Sequence, residues 1–334
     1  MNRSGLFLFL GLNLPCMTLK NHILAAFLLG LSSMAFAQQD VQFTQYYHNL
    51  VGFNPGVAGS DPDKMTSFSL GSRAQWVGFD NAPNTQIINA DIPLSVLHGG
   101  LLVNIVNDQI GFFQDISAAL GYAYQLDLGT GTLGIGLAVD FRNKNVKQAQ
   151  WIYPDGTAGS NDPSILRPNT SAMTPELNFG AFYQAPEWYA GLSTSRLLQS
   201  EANFGGTARY KSKMHYYLTG GYNFQLPEYN LVLTPSSLIK SDLNSNISMD
   251  LNVNAIYDGK LSGGLGYRNQ DAISLMAGYK VDVSPGTVVN IWYSYDITTS
   301  ALSGYSGGSH EIFLNYRFRI PPPIPESYRN VRFL

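Results

Sequence analysis

ISAALGYAYQL, residues 116–126, alternates along its whole length. Ile116, Ala118, Leu120, Tyr122, Tyr124 and Leu126 fall on one side, and Ser117, Ala119, Gly121, Ala123 and Gln125 on the other. Successive side chains of an extended chain point to opposite faces, so a period of two is a strand signature. HEIFLNYRFRI, residues 310–320, repeats the pattern, with His310, Ile312, Leu314, Tyr316, Phe318 and Ile320 set against Glu311, Phe313, Asn315, Arg317 and Arg319. Working outward, similar segments fall near 66–76, 85–94, 100–106, 132–142, 175–184, 188–195, 215–226, 231–239, 246–257, 260–268, 272–281 and 287–297. Fourteen antiparallel strands are therefore expected over residues 66–320. Most of these segments are 9–12 residues long. Strands of soluble proteins cluster near 5–6 residues, whereas about 9–11 are needed to cross a bilayer at a tilt. The length and the even count point to an all-β transmembrane barrel of the outer-membrane type. A soluble β-sandwich is the rival architecture.

Composition agrees with the barrel. Of the 334 residues only 13% are charged, against about 25% in soluble domains. A surface facing water needs charge, and one facing lipid must avoid it. The net charge is −3 and no basic run exists, so nucleic-acid binding has no electrostatic footprint. Lys20-Asn21-His22, the apolar run Ile23 to Met34 and Ala35-Phe36-Ala37 have the three parts of an export signal. Residues 1–37 are read as a signal peptide, with Met17 as a possible true start. Cleavage would leave Gln38 rather than a cysteine at the new N-terminus, so a lipid anchor is not indicated. The one cysteine, Cys16, lies in this leader, so no disulfide, thiolate metal site or cysteine nucleophile is expected in the mature chain. After residue 37 no run of 18 apolar residues occurs, and no helical span is expected.

Loop lengths give an independent test. With the N-terminus in the periplasm, connections after odd strands face outward and should be the longer ones. The long connections, 143–174, 196–214 and 298–308, all follow odd strands. Those after even strands are short: Gly129-Thr130-Gly131, Ala185-Pro186-Glu187, Pro227 to Asn230, and Asp258-Gly259, which is a strong hairpin signal. The polar face of the strands carries Gly, Ser, Asn and charges. Arg73, Asp140, Arg142, Glu176, Asp250, Arg268, Asp296, Glu311 and Arg317 are expected to face a lumen, where both signs can pair; Asp91, Lys280, Asp282 and Arg319 share that face. Tyr122, Tyr124, Tyr216, Tyr222, Tyr293, Tyr295 and Tyr316 on the apolar face suit interfacial girdles, although tyrosine also favours strands generally.

Motifs that resemble catalytic signatures read better as turns. Gly129-x-Gly131-x-x-Gly134 fits a dinucleotide fingerprint, but that motif requires a following helix, and Leu133, Ile135, Leu137 and Val139 begin another strand. Gly304-Tyr305-Ser306-Gly307-Gly308 fits a nucleophile elbow, yet it joins two strands rather than a strand and a helix. His48, His98, His215 and His310 lack metal-ligand spacing, and Asp61-Pro62-Asp63 lacks the rest of a calcium loop. No enzyme activity, cofactor, metal or small-molecule substrate is expected. Pro321-Pro322-Pro323-Ile324-Pro325 cannot form a central strand, so 321–334 reads as a proline-rich tail.

The stretch VQFTQYYHNLVGFNPGVAGSD, residues 41–61, is too polar for a core helix, and Asn54-Pro55-Gly56 breaks any strand. Together with Gln38-Gln39-Asp40 it resembles the mature N-terminus of the PorP/SprF family of the type IX secretion system. The resemblance continues through Arg73-Ala74-Gln75-Trp76, Pro235-Ser236-Ser237-Leu238-Ile239-Lys240, Tyr267-Arg268 with Asp271-Ala272, and Tyr293-Ser294-Tyr295-Asp296. It ends with Gly308-Ser309-His310-Glu311-Ile312, Tyr316-Arg317-Phe318 and Val331-Arg332-Phe333-Leu334. Val41, Tyr47-His48, Leu50 and Gly56-Val57 depart from the family pattern. The resemblance implies a non-enzymatic barrel in the outer membrane of a Gram-negative bacterium. Its partners would be membrane lipid, the secretion or gliding machinery, and an adhesin-like secreted cargo. Residues 38–65 are then a periplasmic or lumen-entering segment that closes the barrel mouth or docks a machinery partner through Phe43, Tyr46, Tyr47 and Phe53; a simple lead-in packed on the turns is the plainer reading. Trp151, Tyr153 and Tyr210, in the long connections, are candidate cargo contacts. A channel for small or hydrophobic solutes is the alternative function, because a lumen lined by Gly, Ser and Asn permits either a filled or an open pore.

Overall fold

The computed structural model describes residues 41–147, 168–205, 208–243 and 247–320. Its strands, in chain order, are β1 Thr66–Ala74, β2 Asn84–Leu94, β3 Gly99–Ile110, β4 Phe113–Leu128, β5 Gly131–Val146, β6 Thr170–Gln184 and β7 Trp188–Ser195. Then come β8 Glu201–Asn203, β9 Arg209–Lys211, β10 His215–Tyr222, β11 Phe224–Leu226, β12 Leu231–Ser241 and β13 Ile247–Tyr257. The last are β14 Leu261–Arg268, β15 Ala272–Ser284, β16 Thr287–Thr298 and β17 Ser309–Phe318. β10 and β11 pair with the same neighbour, β12, on either side of Asn223, and so form one interrupted stave. β8 and β9 make a separate hairpin. The remaining strands follow one another antiparallel in chain order, and β1 closes the ring on β17, from Thr66↔Phe318 to Ala74↔His310. The result is a closed barrel of fourteen staves with no free sheet edge, the condition under which strands can cross a bilayer.

The alternation read from residues 116–126 has a physical basis here. Leu120 is 61% exposed on the outer face while Ala119 and Ala123 are buried inside. The same outward set recurs around the ring in Leu70, Leu137, Leu192, Leu218, Val253, Leu265, Ile273, Ile291 and Ile312. In water such a surface would be an aggregation hazard, and in lipid it is the favourable state. Tyr124, Tyr222, Tyr293 and Tyr316 also stand exposed on this face.

Several strands run further than their alternation suggests. β4 and β5 each have 16 residues, and Gln114↔Asn145 and Asp115↔Lys144 are still paired. Beyond the lipid the hydrophobic pattern stops but the hydrogen-bonded ladder continues. The connection expected at 143–174 is therefore shorter, because residues 143–146 pair with 170–173. The connection expected between the third and fourth strands reduces to Gly111-Phe112. The long connections 75–83, 196–214 and 299–308 gather at one rim, and every connection at the other rim is a tight turn. One such turn is Asp258-Gly259, whose φ values of 51° and 64° are those of a hairpin with two left-handed residues.

The outer face yields a direct prediction. Leu120→Arg should destabilise the barrel by about 2–4 kcal/mol if Leu120 lies near the midplane of the bilayer. Reversible urea unfolding in lipid vesicles measures this, and a change within about 0.5 kcal/mol would show that this face does not meet hydrocarbon.

Candidate functional site

Residues 41–60 lie inside the barrel, and 61–65 lead out to its rim, where Pro62, Asp63 and Lys64 are exposed. The segment folds as a 3-10 turn at Tyr46–His48, a single helical turn at Leu50–Phe53 and a second 3-10 turn at Pro55–Val57. Asn54 starts that last turn by accepting a bond from the Gly56 amide at 2.8 Å, while Pro55 supplies a preset φ at its first position. So short a piece leaves most of its backbone groups without internal partners, and the lumen wall provides them. Ser193 Oγ donates to Phe53 O at 2.8 Å, Gln125 Nε2 to Ala58 O at 2.7 Å, and Asn252 Nδ2 to Thr44 O at 2.8 Å. Asn54 Nδ2 donates to Ala181 O at 3.0 Å, and the Gly59 amide to Asp91 Oδ1 at 2.8 Å. An amide chain joins Asn49, Asn89 and Asn104 across two staves. This satisfaction of polar groups is what the Ser, Asn and Gln of the inner face are for.

Apolar contacts add to the seal. Phe43, 2% exposed, packs edge-to-face on Phe313 with ring centroids 5.5 Å apart, and Ile87 completes the cluster. Tyr46, fully buried, packs on Tyr217 and Leu238 and its hydroxyl meets Ser236 Oγ at 2.9 Å. Tyr47 and Phe53 pack around the same cluster. Burial pushes the Tyr46 and Tyr47 phenols well above their ordinary range and the His48 imidazole well below its own. All four aromatics of residues 41–61 thus turn into the barrel.

The plug is centred on Thr44. Its amide and that of Gln45 donate to the two oxygens of Glu311, each at 2.8 Å. Its hydroxyl lies 2.8 Å from the Asp296 carboxylate and 2.9 Å from Arg73 Nη1. Arg73 bridges the two acids, with Nη2 2.7 Å from Asp296 Oδ2 and Nη1 2.9 Å from Glu311 Oε2. Arg268 extends the network to Asp250 at 2.6 Å, and Lys240 Nζ lies 2.9 Å from the other oxygen of Asp250. Three cations and three carboxylates, from six staves, are all buried. Arg268 Nη1 also reaches the half-buried Asp271 at 3.2 Å, so each buried charge is compensated in a site where an isolated one would be prohibitive.

The other inward charges lie apart from this cluster. Arg142 Nε bonds Asp140 Oδ2 at 2.8 Å, Glu176 accepts from the Ser200 amide at 2.8 Å, and Arg317 pairs with Asp61 of the plug at 2.7 Å. Of the candidate cargo contacts, Trp151 and Tyr153 lie outside the described residues. Tyr210 belongs to the β8–β9 hairpin and takes Lys144 Nζ over its ring at 4.5 Å, beside Val146, Ala202 and Phe204. Ser306 acts in its turn as a hydrogen-bond partner of the Gly308 amide at 3.0 Å and of Thr298 Oγ1 at 3.2 Å.

Glycines of the wall form a contact surface that alternation alone does not reveal. The plug backbone at Pro55 and Gly56 lies directly on β5 and β6, so that a methyl group at Gly136 would fall on the Pro55 carbonyl. Gly100 and Gly59 face each other in the same way at the short-turn rim. Glycine inside a strand weakens it, and a close approach of another backbone is a usual reason for it.

Residues 35–316 match the family described as type IX secretion system membrane protein PorP/SprF. The chain belongs to that family. No curated protein matches it in sequence. Among solved structures, the CymD monoaromatic hydrocarbon channel superposes with a TM-score of 0.50 at 12% identity, covering 82% of this chain and 99% of that one. The Pseudomonas putida toluene transporter TodX gives 0.50 at 9% identity, covering 80% and 93%. At such identities the likeness is one of fold, and the fold is that of an outer-membrane barrel. This PorP/SprF protein is accordingly a membrane component of type IX secretion in a Gram-negative outer membrane.

The network makes a testable claim. Arg73→Met leaves Asp296 and Glu311 buried without the cation they share, a change expected to cost about 3–5 kcal/mol. Gly136→Val should displace the plug without altering any charge. Each variant should show faster proteolysis within 41–65 than the parent, and the two combined should raise single-channel conductance in planar bilayers. Parent-like proteolysis in each variant and parent-like conductance in the double variant would mean that neither contact holds the plug.

Proposed function

We propose that this chain is a non-enzymatic barrel that assists the export or surface anchoring of an adhesin-like secreted protein, or links the outer membrane to the secretion and gliding machinery. The observation that carries this reading is the plug. A lumen occupied by the chain's own residues, and fastened by a buried ionic network, suits a protein that works by binding at its two mouths.

In this reading the N-terminus and the tight turns face the periplasm, and the longer connections face outward. The periplasmic mouth, where Asp61 and Asp63 approach Arg317, is the side offered to machinery. Phe43, Tyr46, Tyr47 and Phe53 then serve partner capture indirectly, by fixing the segment that forms this mouth. The outer connections meet the cargo, with Trp151, Tyr153 and Tyr210 as aromatic contacts of the kind that carry interface energy. Their partner specificity is the part of the function that varies between cargoes. A solute channel, the rival function, requires the plug to leave or shift.

The test is the surface proteome of a deletion strain against its parent. Loss of one large secreted protein from the surface, or its release into the medium, is the expected result, with rescue by the parent gene and reduced rescue by the triple alanine variant at 151, 153 and 210. Unchanged surface proteins with reduced solute uptake would replace this reading with the channel.

A further inference from the structure

Beside the plug, at the short-turn end of the lumen, lies a cavity of about 240 Å³. Its walls come from two sources. Tyr47 and His48 of the plug form one side, with His48 stacked on Trp292, and Tyr189 and Ile256 continue the apolar surface. The inner faces of β12 to β16 form the other, through Thr234, Asn254, Ser262, Asn290 and the two lysines Lys260 and Lys280.

Nitrogen donors and apolar walls dominate this lining. Lys260, in the turn before β14, and Lys280 of β15 are neighbours, the Lys280 amide donating to Lys260 O at 2.9 Å. An anion in the cavity would be attracted by both lysines. Lys280 has one remote acid, Asp282, at 3.7 Å, and no ion pair is present at Lys260 among the described residues. No carboxylate lines the cavity itself. Deeper in, Asn254 is 3% exposed, yet its Nδ2 has no hydrogen-bond partner among the described residues, and neither does His48 Nε2. A buried amide donor left unpaired, as Asn254 Nδ2 is, is costly. Gln45 Nε2 and Asn49 Nδ2 are likewise without a partner among the described residues, and what sets this place apart is the two lysines beside an apolar wall with no carboxylate.

We propose that this cavity binds a small organic anion with an aromatic or aliphatic body and a single carboxylate, entering from the short-turn rim. The aromatic body lies between Tyr47, Tyr189 and Trp292, where apolar surface leaves water. The carboxylate joins Lys260 and Lys280. Water alone would satisfy the nitrogens but would leave the aromatic walls wetted. The volume falls below the roughly 300–1,000 Å³ of drug-sized sites, which selects a ligand of one ring or a short chain. Plug and wall each contribute one side, so occupancy would also brace the plug. This inference goes beyond the secretion reading and does not depend on it.

Isothermal titration of 4-phenylbutyrate into the full chain in lipid nanodiscs tests it, with the neutral 4-phenylbutanamide as control. Saturable binding of the acid and none of the amide is expected. The Lys260→Gln/Lys280→Gln variant should weaken binding by about tenfold or more, the loss of a charge-assisted contact, whereas Lys260→Arg/Lys280→Arg should retain it. Ser262→Trp, which fills the cavity without touching a charge, should abolish it. Absence of saturable binding by the parent, equal binding of the amide, or unchanged affinity in the glutamine variant would each overturn the proposal.

Discussion

Everything inside this barrel follows from one constraint: charge cannot face the hydrocarbon, so it must face inward, and what faces inward must be compensated. Arg73, Arg268, Lys240, Asp250, Asp296 and Glu311 satisfy this together, since each stave contributes a charge that its neighbours complete. The ring of staves does not close the network by itself. Glu311 takes two of its hydrogen bonds from the backbone amides of Thr44 and Gln45, and Asp296 and Arg73 both meet the Thr44 hydroxyl. The plug is thus a structural member of the wall's own electrostatics. Removing it would leave buried acids short of donors as well as exposing Phe43 and Phe313.

The same dependence runs from the wall to the plug. A segment with no more than a few helical turns has no core and few internal hydrogen bonds, so it has little stability of its own. Its conformation is supplied from outside: by side-chain donors of β4, β7 and β13, by glycines on β3, β5 and β6 that admit its backbone, and by the aromatic clusters around Phe43 and Tyr46. Barrel and plug therefore form one unit in this structure, with the contacts of Phe43 with Phe313, Thr44 with Glu311 and Asp61 with Arg317 joining the two ends of the described chain.

How much of this can be read beforehand depends on whether the signal is periodic. The staves and their faces are, so Leu120 outward and Glu311 inward follow from alternation, and β1 pairing with β17 follows from closure. Strand ends are less legible, because beyond the lipid the ladder at Asp115↔Lys144 persists among polar residues that look like loop. The interruption at Asn223 and the β8–β9 hairpin have no periodic signature at all. In the opening stretch, aromatic residues in a polar setting read equally well as partner contacts or as packing. What places Phe43 and Tyr46 inside is the match between their shape and the surfaces of Phe313, Tyr217 and Leu238, which lie about 170 to 270 residues away and cannot be paired with them from one sequence. Gly100 and Gly136 carry the same lesson, since a strand glycine announces a close approach without saying what approaches.

A plug fastened this way sets the terms for any movement of the lumen. Its grip is divided between a buried ionic cluster toward the long-connection end and a glycine-lined backbone contact toward the tight turns. The two are far apart along the segment, at Thr44 and at Asn54 to Gly59, so loosening one does not release the other. Opening a continuous path requires both to yield. The architecture therefore favours local adjustment of one mouth over conduction through the barrel. A protein that signals or binds on one side of the membrane needs the former, and a solute channel the latter.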